Sequence, residues 1–180
     1  MKDRAIVLPQ RKTGNPIRTI NYLSDCGVSY TTTEHLIEEN LLYEDVNSNM
    51  IFRNYNATCG EIRTTRPTAK SHPITTRVNA EKFWYFGKHG NLVYICTNAV
   101  DAVALYELTR TPAIYASCSG SNNYKIIERI INSGRDVILA LDNSPTSDRA
   151  RERFPENEKL KHIKPKNKSW VDDLINKKGL

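Results

Sequence analysis

The sequence predicts an α/β protein in which a parallel sheet is flanked by helices and preceded by a small N-terminal α+β unit. Two short apolar runs rich in Val and Ile, Leu92–Cys96 and Val137–Leu141, are typical of strands buried on both faces. Two helix-like segments and a third strand-like segment lie between these runs. Because the resulting order is β-α-β-α-β, crossover connections make the strands parallel.

The segments between the two runs have the patterns expected of two helices around a strand. Asp101–Arg110 is largely apolar without alternation, and Asn122–Asn132 carries isoleucines at helical spacing. Ala113–Ser117 is the strand between them. Parallel sheets bind ligands at the carboxyl ends of their strands. Those ends are Thr97-Asn98, Ser119-Gly120 and Asp142-Asn143-Ser144.

Two short helices are predicted near the N-terminus. Pro16–Cys26 has Pro in its first turn and ends at Gly27, and Thr33–Asn40 follows. Two helices joined by a tight turn also suit a helix-turn-helix DNA reader, but the second helix is acidic, the wrong sign for a helix in a DNA groove. We therefore interpret the helices as a packing pair that seats the small unit.

The rest of the N-terminal unit is predicted to consist of three strands and a long loop. The strand segments are Leu41–Glu44, Met50–Tyr55 and Thr58–Thr64. Residues 64–80 contain two prolines, many threonines and no hydrophobic period, which predicts a long exposed loop. Long loops in compact domains are usually functional or disordered. Because this loop is basic, it is the best candidate contact surface for nucleic acid or an acidic partner.

An aromatic run, Glu81–Lys88, links the two parts of the chain. It holds four aromatic residues between lysines, a composition that can stack exposed bases. Alternate residues of a strand point to opposite faces, so at least half of this cluster is expected in the core. We place the domain boundary after this run, with the small unit at 1–90 and the second domain at 91–180.

The C-terminal part is predicted to hold a charged helix, a last strand and a closing helix. The helix covers Ser147–Phe154 and the strand covers Leu160–Ile163. Trp170, Leu174 and Ile175 have helical spacing, so they are expected to pack the closing helix onto the sheet.

Charge and composition limit the classes of function. The 180 residues include 39% hydrophobic residues and carry a net charge of +6, and the mean hydropathy is −0.55. No apolar run reaches the length of a membrane span and the N-terminus lacks the pattern of a secretory signal, so a cytoplasmic protein without membrane contact is expected. The four cysteines have no metal-ligand spacing, so free thiols are expected and no cofactor is predicted.

The positive charge lies on the flanks of the predicted parallel sheet. Residues 53–88 hold seven basic residues against two acidic ones, whereas residues 91–145 are nearly neutral. Clustered Lys and Arg are typical of surfaces that contact phosphates. The predicted nucleic-acid or partner contacts are Arg63, Arg66, Lys70, Arg77, Lys82, Lys88, Lys164, Lys166 and Lys168.

Several segments together resemble a known family. VYICTNAVDAVALY at 93–106 and VILALDNSPTSDRA at 137–150 resemble the Toprim domain of primases, topoisomerases and related nucleases. In that domain a strand is followed by an acidic residue and a helix, and a later strand ends in Asp-x-Asp. Roughly residues 16–175 are similar to primase-like Toprim proteins of plasmids and conjugative elements, with CGEIRTT at 59–65 and SWVDDL at 169–174 among the matching segments.

The departures from the family pattern concern the acidic site. The resemblance implies a Glu after the first strand as general acid or base, and an Asp-x-Asp pair that holds magnesium. Here the Glu position is Thr97 and the second Asp is Ser144, so the site is interpreted as degenerate. Asp101 and Asp142 are at best a weak magnesium remnant, because two-metal phosphoryl transfer needs more acids.

A simpler interpretation gives the remaining acids structural roles. Asp142 is then the strand-end residue that caps the next helix, and Asp101 is an acid in the first turn of its own helix. Asp148 lies four residues past Ser144, so it adds a carboxylate to the acidic site only if its side chain turns towards Asp142. We favour the structural roles over metal binding.

These observations favour binding over catalysis. The first hypothesis is a non-catalytic phage or mobile-element protein that binds DNA, RNA or a nucleoprotein complex. Its sharpest form, which rests on the resemblance and on size, is an anti-CRISPR inhibitor of an RNA-guided DNA nuclease. The second hypothesis is a metal-dependent Toprim primase or nicking enzyme with a reduced acidic site. The third is a non-enzymatic accessory module of conjugation or replication.

Overall fold

The computed structural model describes residues 8–65, 75–78, 82–87 and 90–180, with only the backbone described at 75–78. Its helices are α1 (Ile17–Asp25), α2 (Tyr30–Glu38), α3 (Ala99–Thr109), α4 (Tyr124–Ile131), α5 (Pro145–Arg153) and α6 (Trp170–Lys178). Its strands are β1 (Leu42–Glu44), β2 (Met50–Arg53), β3 (Gly60–Arg63), β4 (Thr75–Val78), β5 (Tyr85–Phe86), β6 (Leu92–Cys96), β7 (Ile114–Ser117), β8 (Asp136–Leu139) and β9 (Leu160–His162). Within these described ranges, no helix has the length and apolarity that a membrane span requires.

The larger sheet confirms the predicted α/β architecture. Its strand order is β5-β7-β6-β8-β9, with β6 parallel to both β7 and β8, and β8 parallel to β9. Val93 in the central strand pairs with Ile114 on one side and with Val137 on the other. Helices α3 and α4 connect these strands in sequence, so the predicted β-α-β-α-β order is correct.

Hydrophobic clusters cover both faces of the larger sheet. On one face, residues of α3 and α6 share a cluster with residues of α1, α2 and the smaller sheet. On the other face, Ile126, Ile127 and Ile130 of α4 pack against the sheet. Helix α3 is buried on nearly all sides from Ala99 to Leu105. This burial explains why its sequence shows no amphipathic stripe.

The smaller sheet is antiparallel, in the order β1-β2-β3-β4. The prediction of one exposed loop over residues 64–80 is wrong at Thr75–Val78, because this segment is strand β4 and pairs with β3. Threonine and valine favour extended backbone, and an edge strand can form through ladder hydrogen bonds on one side without apolar alternation. Residues 66–74 and 79–80 of the predicted loop lie outside the described residues.

The two N-terminal helices confirm the packing interpretation. Leu23 of α1 and Leu36 of α2 are fully buried in the cluster shared with the larger sheet. Gly27 between the helices has a φ of +79°, in the left-handed region that favours glycine. Helix α2 begins three residues earlier than predicted because Ser29 is its N-cap and accepts a hydrogen bond from Thr32 N at 3.3 Å.

The aromatic run divides between two faces, as strand alternation requires. Trp84 and Phe86 are buried, whereas Phe83 and Tyr85 are partly exposed. Strand β5 pairs antiparallel with β7, so this end of the predicted N-terminal unit is part of the larger sheet. The division of the chain at residue 90 stays a prediction.

Candidate functional site

The carboxyl ends of β6, β7 and β8 lie together at one edge of the larger sheet, which we call the strand-end edge (residues 97–98, 117–120 and 140–144). Thr97, at the position where the resemblance implies a Glu, connects the neighbouring strand ends. Its hydroxyl accepts a hydrogen bond from Asp142 N at 3.0 Å, and its carbonyl accepts one from Gly120 N at 2.7 Å. Thr97 therefore fixes the backbone of this edge.

Asp101 has the structural role expected of a first-turn acid. Asn98 is the N-cap of α3, and it accepts from Asp101 N at 3.0 Å and donates its side-chain Nδ2 to Asp101 Oδ2 at 2.6 Å. Val171 N of α6 donates to Asp101 Oδ1 at 3.4 Å. The side chain is only 2% exposed, and burial, helped by the charge of Asp142, raises its pKa from 3.8 to about 7. A role as a metal ligand stays a prediction.

Asp142 supports a helix cap but is not the cap itself. The N-cap of α5 is Ser144, which accepts from Ser147 N at 3.2 Å, so the expectation that Asp142 caps this helix is wrong. Pro145 in the first turn places the N-cap at Ser144, three residues past the end of the predicted strand. Asp142 Oδ1 accepts hydrogen bonds from the Ser144 hydroxyl at 2.8 Å and from the Ser147 hydroxyl.

Asp148 pairs with two cations beside this edge. Its Oδ1 lies 2.7 Å from Lys164 Nζ and 3.0 Å from Arg151 Nη1, and the hydrogen bond from Lys164 lowers its pKa. Arg151 is buried and donates through Nη2 to the carbonyl oxygens of Leu141 at 2.5 Å and Asp142 at 3.0 Å. Asp148 is therefore directed towards these basic side chains.

Glu61 is the site residue that sequence reasoning missed. It comes from β3 of the smaller sheet and is fully buried. Its Oε1 accepts from Ala99 N at 2.9 Å, and its Oε2 accepts from the hydroxyls of Ser117 at 2.6 Å and Ser119 at 3.1 Å. Burial raises its pKa. The sequence shows only an acid inside a strand-like segment. Its hydrogen-bond donors lie at least 38 residues further along the chain, so no local pattern identifies them.

Arg63 follows Glu61 by two residues on β3 and is half-buried. Its Nε donates to the Tyr22 hydroxyl at 2.7 Å, and its guanidinium lies 5.5 Å from the centre of the Tyr22 ring. Burial raises the pKa of Asp101, and the positive charge of Arg63 partly offsets this rise. Among the described basic contacts predicted in residues 53–88, Arg63 is the one whose positive charge acts to lower the pKa of Glu61 and Asp101.

The second basic patch, which we call the lysine loop (residues 164–168), lies directly beside the strand-end edge. Asn143 N donates to Lys168 O at 2.9 Å, and Asn143 Nδ2 donates to the carbonyl oxygens of Pro165 at 2.8 Å and Asn167. Asp173 of α6 accepts from Lys166 N at 2.8 Å. The predicted contacts Lys164, Lys166 and Lys168 are exposed and are thereby brought together next to Asp142.

The structure shows no interaction between the strand-end edge and the remaining predicted contacts, as far as their residues are described. Lys82 is half-buried before β5. Arg77 lies on β4, where only the backbone is described, and Arg66, Lys70 and Lys88 lie outside the described residues. Within the part of the chain whose side chains are described, no three His, Cys, Asp or Glu residues are grouped so that they could hold a metal ion.

Comparison with solved structures gives the fold a precedent. The primase fragment of the bacteriophage T7 primase-helicase protein matches with a TM-score of 0.63 and 15% sequence identity, over 98% of this chain and 78% of that chain. The fold matches that of a phage primase fragment. A chain in a structure of the T7 lagging-strand DNA polymerase with primase domains of two gp4 subunits matches with a TM-score of 0.58 and 15% identity, over 86% of this chain and 84% of that one. No protein-family model matches the sequence, and no curated protein sequence matches it.

Removal of the Glu61 carboxylate is expected to destabilise the fold. In Glu61→Ala the buried donors of Ala99, Ser117 and Ser119 lose their acceptor, so the free energy of unfolding should fall by about 3 kcal/mol. Urea denaturation measures this change. Glu128→Ala, which removes an exposed acid on α4, is the control and should change the free energy by less than about 0.5 kcal/mol. Equal effects of the two substitutions would contradict the role assigned to Glu61.

Asp101 is expected to make the stability fall as the pH rises. Because its folded-state pKa is raised from 3.8 to about 7, the folded protein holds this proton more tightly than the unfolded chain does between those values. The free energy of unfolding should therefore decrease as the pH rises from about 4 to about 7. Asp101→Asn removes the titration, so the difference between variant and wild type should grow in favour of the variant across this range. Urea denaturation at four pH values tests this, and a constant difference would contradict it.

Proposed function

We propose that the protein binds nucleic acid at the strand-end edge, with the lysine loop as its phosphate contact, and that it does not catalyse phosphoryl transfer. The observation that carries the proposal is the position of the lysine loop. Asn143 bonds the backbone of the loop that carries three exposed lysines, one of which, Lys164, also pairs with Asp148. The loop lies beside the carboxyl ends of the parallel strands, where sheets of this kind bind their ligands. A row of lysines at that edge suits a chain of phosphates.

The fold supports the same class of ligand. The second matching structure contains the primase domains in a complex with a DNA polymerase, an RNA/DNA hybrid and dTTP. A likeness in fold alone does not specify a ligand, so the charge of this chain supplies the second support. The net charge is +6, and clustered positive charge increases the affinity for the phosphate backbone whatever the base sequence.

The partners of the acids support binding without catalysis. Glu61 accepts three hydrogen bonds, Asp101 forms two with Asn98 and Val171, and Asp148 pairs with two cations. Asp142 supports the cap of α5. Thr97 and Ser144 supply hydroxyls where the resemblance implies carboxylates. This donor set does not fit the magnesium site of an active Toprim domain, because magnesium prefers ionised carboxylates with several waters.

The narrower hypotheses concern context and partner. In this proposal the protein is cytoplasmic and is carried by a phage or another mobile element. An RNA-guided nuclease as its partner stays a prediction from the family resemblance, since no contact or charge pattern of the described residues selects it. A conjugation or replication complex is the alternative partner, and it uses the same nucleic-acid contacts.

Neutralising the lysine loop is expected to weaken nucleic-acid binding. In the combined variant Lys164→Gln, Lys166→Gln and Lys168→Gln, the dissociation constant for a fluorescein-labelled 20-nucleotide DNA should rise by about tenfold or more. The slope of log K against log salt should become shallower by about 2, because each phosphate contact contributes roughly 0.7–0.9 to that slope. Fluorescence anisotropy at several salt concentrations measures both quantities.

The matched control removes the same number of exposed lysines elsewhere. Lys125 lies on α4, and Lys177 and Lys178 lie at the end of α6. Their combined change to Gln should leave the salt slope close to that of the wild type. Equal losses in the two triple variants would show that binding depends on net charge alone and would overturn the assigned contact surface.

No catalytic product is expected with metal present. The protein should leave supercoiled plasmid intact and should not extend a primed template in the presence of magnesium or manganese, because the acids at the strand-end edge are bonded to protein partners. Gel electrophoresis of both substrates checks this. A product formed by the wild type and lost in Asp142→Ala would contradict the proposal and support the enzyme hypothesis.

A further inference from the structure

The partly exposed rings of the aromatic run form a group with one tyrosine from outside the run. We call this group the aromatic shelf (Tyr55, Phe83 and Tyr85). Tyr85 lies in its middle, with its ring centre 5.6 Å from that of Tyr55 and 5.7 Å from that of Phe83. Tyr55 comes from the turn after β2, so the shelf joins the edge strand β5 to the smaller sheet. Within the run, Phe83 and Tyr85 lie on the opposite face from Trp84 and Phe86, whereas Tyr55 lines a cavity together with Phe86.

Core packing does not account for the whole shelf. The inner ring of Phe86 is 4% exposed and stacks on Tyr115 with an angle of 24° between the ring planes. Tyr55 is 39% exposed, and the planes of Tyr55 and Phe83 are tilted from Tyr85 by 55° and 48°. Neither neighbouring ring therefore lies flat against Tyr85, which is partly exposed and lines an open groove.

An open groove of about 280 Å³ runs beside the shelf. Its apolar floor consists of Phe83, Tyr85, Val93, Ile114 and Ile130. Its polar lining consists of Arg129, Ser133 and Arg135, so none of the described residues that line it is acidic. Both arginines are exposed, and Arg135 Nη1 donates to Gly90 O at 2.7 Å. The bond to Gly90 uses one of the five donors that a guanidinium carries.

The two ends of the shelf carry opposite charge. At one end the negative charge of Glu39 helps to raise the pKa of Tyr55, whose burial is the larger cause, whereas Arg129 and Arg135 line the groove on the other side of Tyr85. A ligand that carries an aromatic ring and a negative charge is therefore favoured with its ring on Tyr85 and its charge towards Arg129 and Arg135. Nucleotides in a single strand have both features, and their bases are free to stack.

We propose that the aromatic shelf and its groove are a stacking site for a base of single-stranded nucleic acid, with the flanking phosphate held by Arg129 and Arg135. This inference rests on the proposed nucleic-acid binding and adds a second contact to it. The groove lies at the amino ends of β6 and β7, whereas the lysine loop lies beside the carboxyl ends of the parallel strands. The two contacts are therefore at least the length of a strand of four or five residues apart, about 13–17 Å. Duplex DNA hides its bases, so the shelf favours single strands.

The experiment separates base stacking from phosphate binding. Anisotropy titrations compare a fluorescein-labelled 12-nucleotide thymidine oligomer with an abasic oligomer of the same length and backbone charge. The wild type should bind the thymidine oligomer about 5- to 100-fold more tightly than the abasic one, since each stacked base contributes to affinity on that scale. In Tyr85→Leu, which keeps an apolar side chain, this ratio should fall at least threefold while the affinity for the abasic oligomer stays unchanged.

Two further variants make the result specific. Tyr30→Leu removes a 61% exposed tyrosine on α2 and should keep the wild-type ratio. The combined Arg129→Gln and Arg135→Gln variant should weaken both oligomers by a similar factor. Tyr55→Leu changes an exposed turn residue and should lower the ratio in the same direction, so the test stands even if Tyr85→Leu fails to fold.

Each outcome decides the proposal. A wild-type ratio near one, or an unchanged ratio in both Tyr85→Leu and Tyr55→Leu, would overturn the stacking site while leaving nucleic-acid binding intact. Failure of the wild type to bind either oligomer at low salt would overturn the proposed function and the stacking site together.

Discussion

The fold depends on a buried carboxylate. Glu61 reaches from the smaller sheet to the first residue of α3 and to the hydroxyls at the end of β7. Burying a carboxylate is costly unless donors surround it, and these three donors come from the larger sheet and its first helix. Two other polar contacts hold the same layers together. Glu107 near the end of α3 accepts from Ser29 N at 3.1 Å and from its hydroxyl at 2.6 Å, and Trp84 Nε1 donates to Leu41 O at 3.1 Å.

This arrangement has a consequence for ligand binding at the strand-end edge. The free N–H groups at the start of a helix are a common anion site. Here Glu61 accepts from Ala99 N at the start of α3, and Asn98 accepts from Asp101 N in the same turn. Two of the donors that could meet a phosphate at this helix are thus already used inside the protein. In the proposed binding mode, positive charge for a ligand at this edge comes from the neighbouring lysine loop instead.

Local patterns predicted the parallel sheet but not the interactions that span the chain. The apolar run at Leu92–Cys96 was sufficient to define β6, because a strand buried on both faces shows its burial in every residue. Strand β4 was missed because its pairing with β3 is made by the backbone and leaves no pattern in the side chains. An Asp at the end of a strand predicts a helix cap at Asp142, but local patterns give helix ends only approximately, and Pro145 places the N-cap of α5 at Ser144. Glu61 could not be assigned because its partners come from residues 99–119.

Hydrogen–deuterium exchange with and without a bound single-stranded oligonucleotide tests most directly whether nucleic acid binds at the strand-end edge. The account predicts slower amide exchange in peptides that cover residues 142–148 and 164–168, because the ligand covers the lysine loop and the adjoining start of α5. Peptides from the buried helix α3 should exchange slowly in both states. Unchanged exchange at 142–148 and 164–168 in the saturated complex would contradict the account and would place the ligand on another surface.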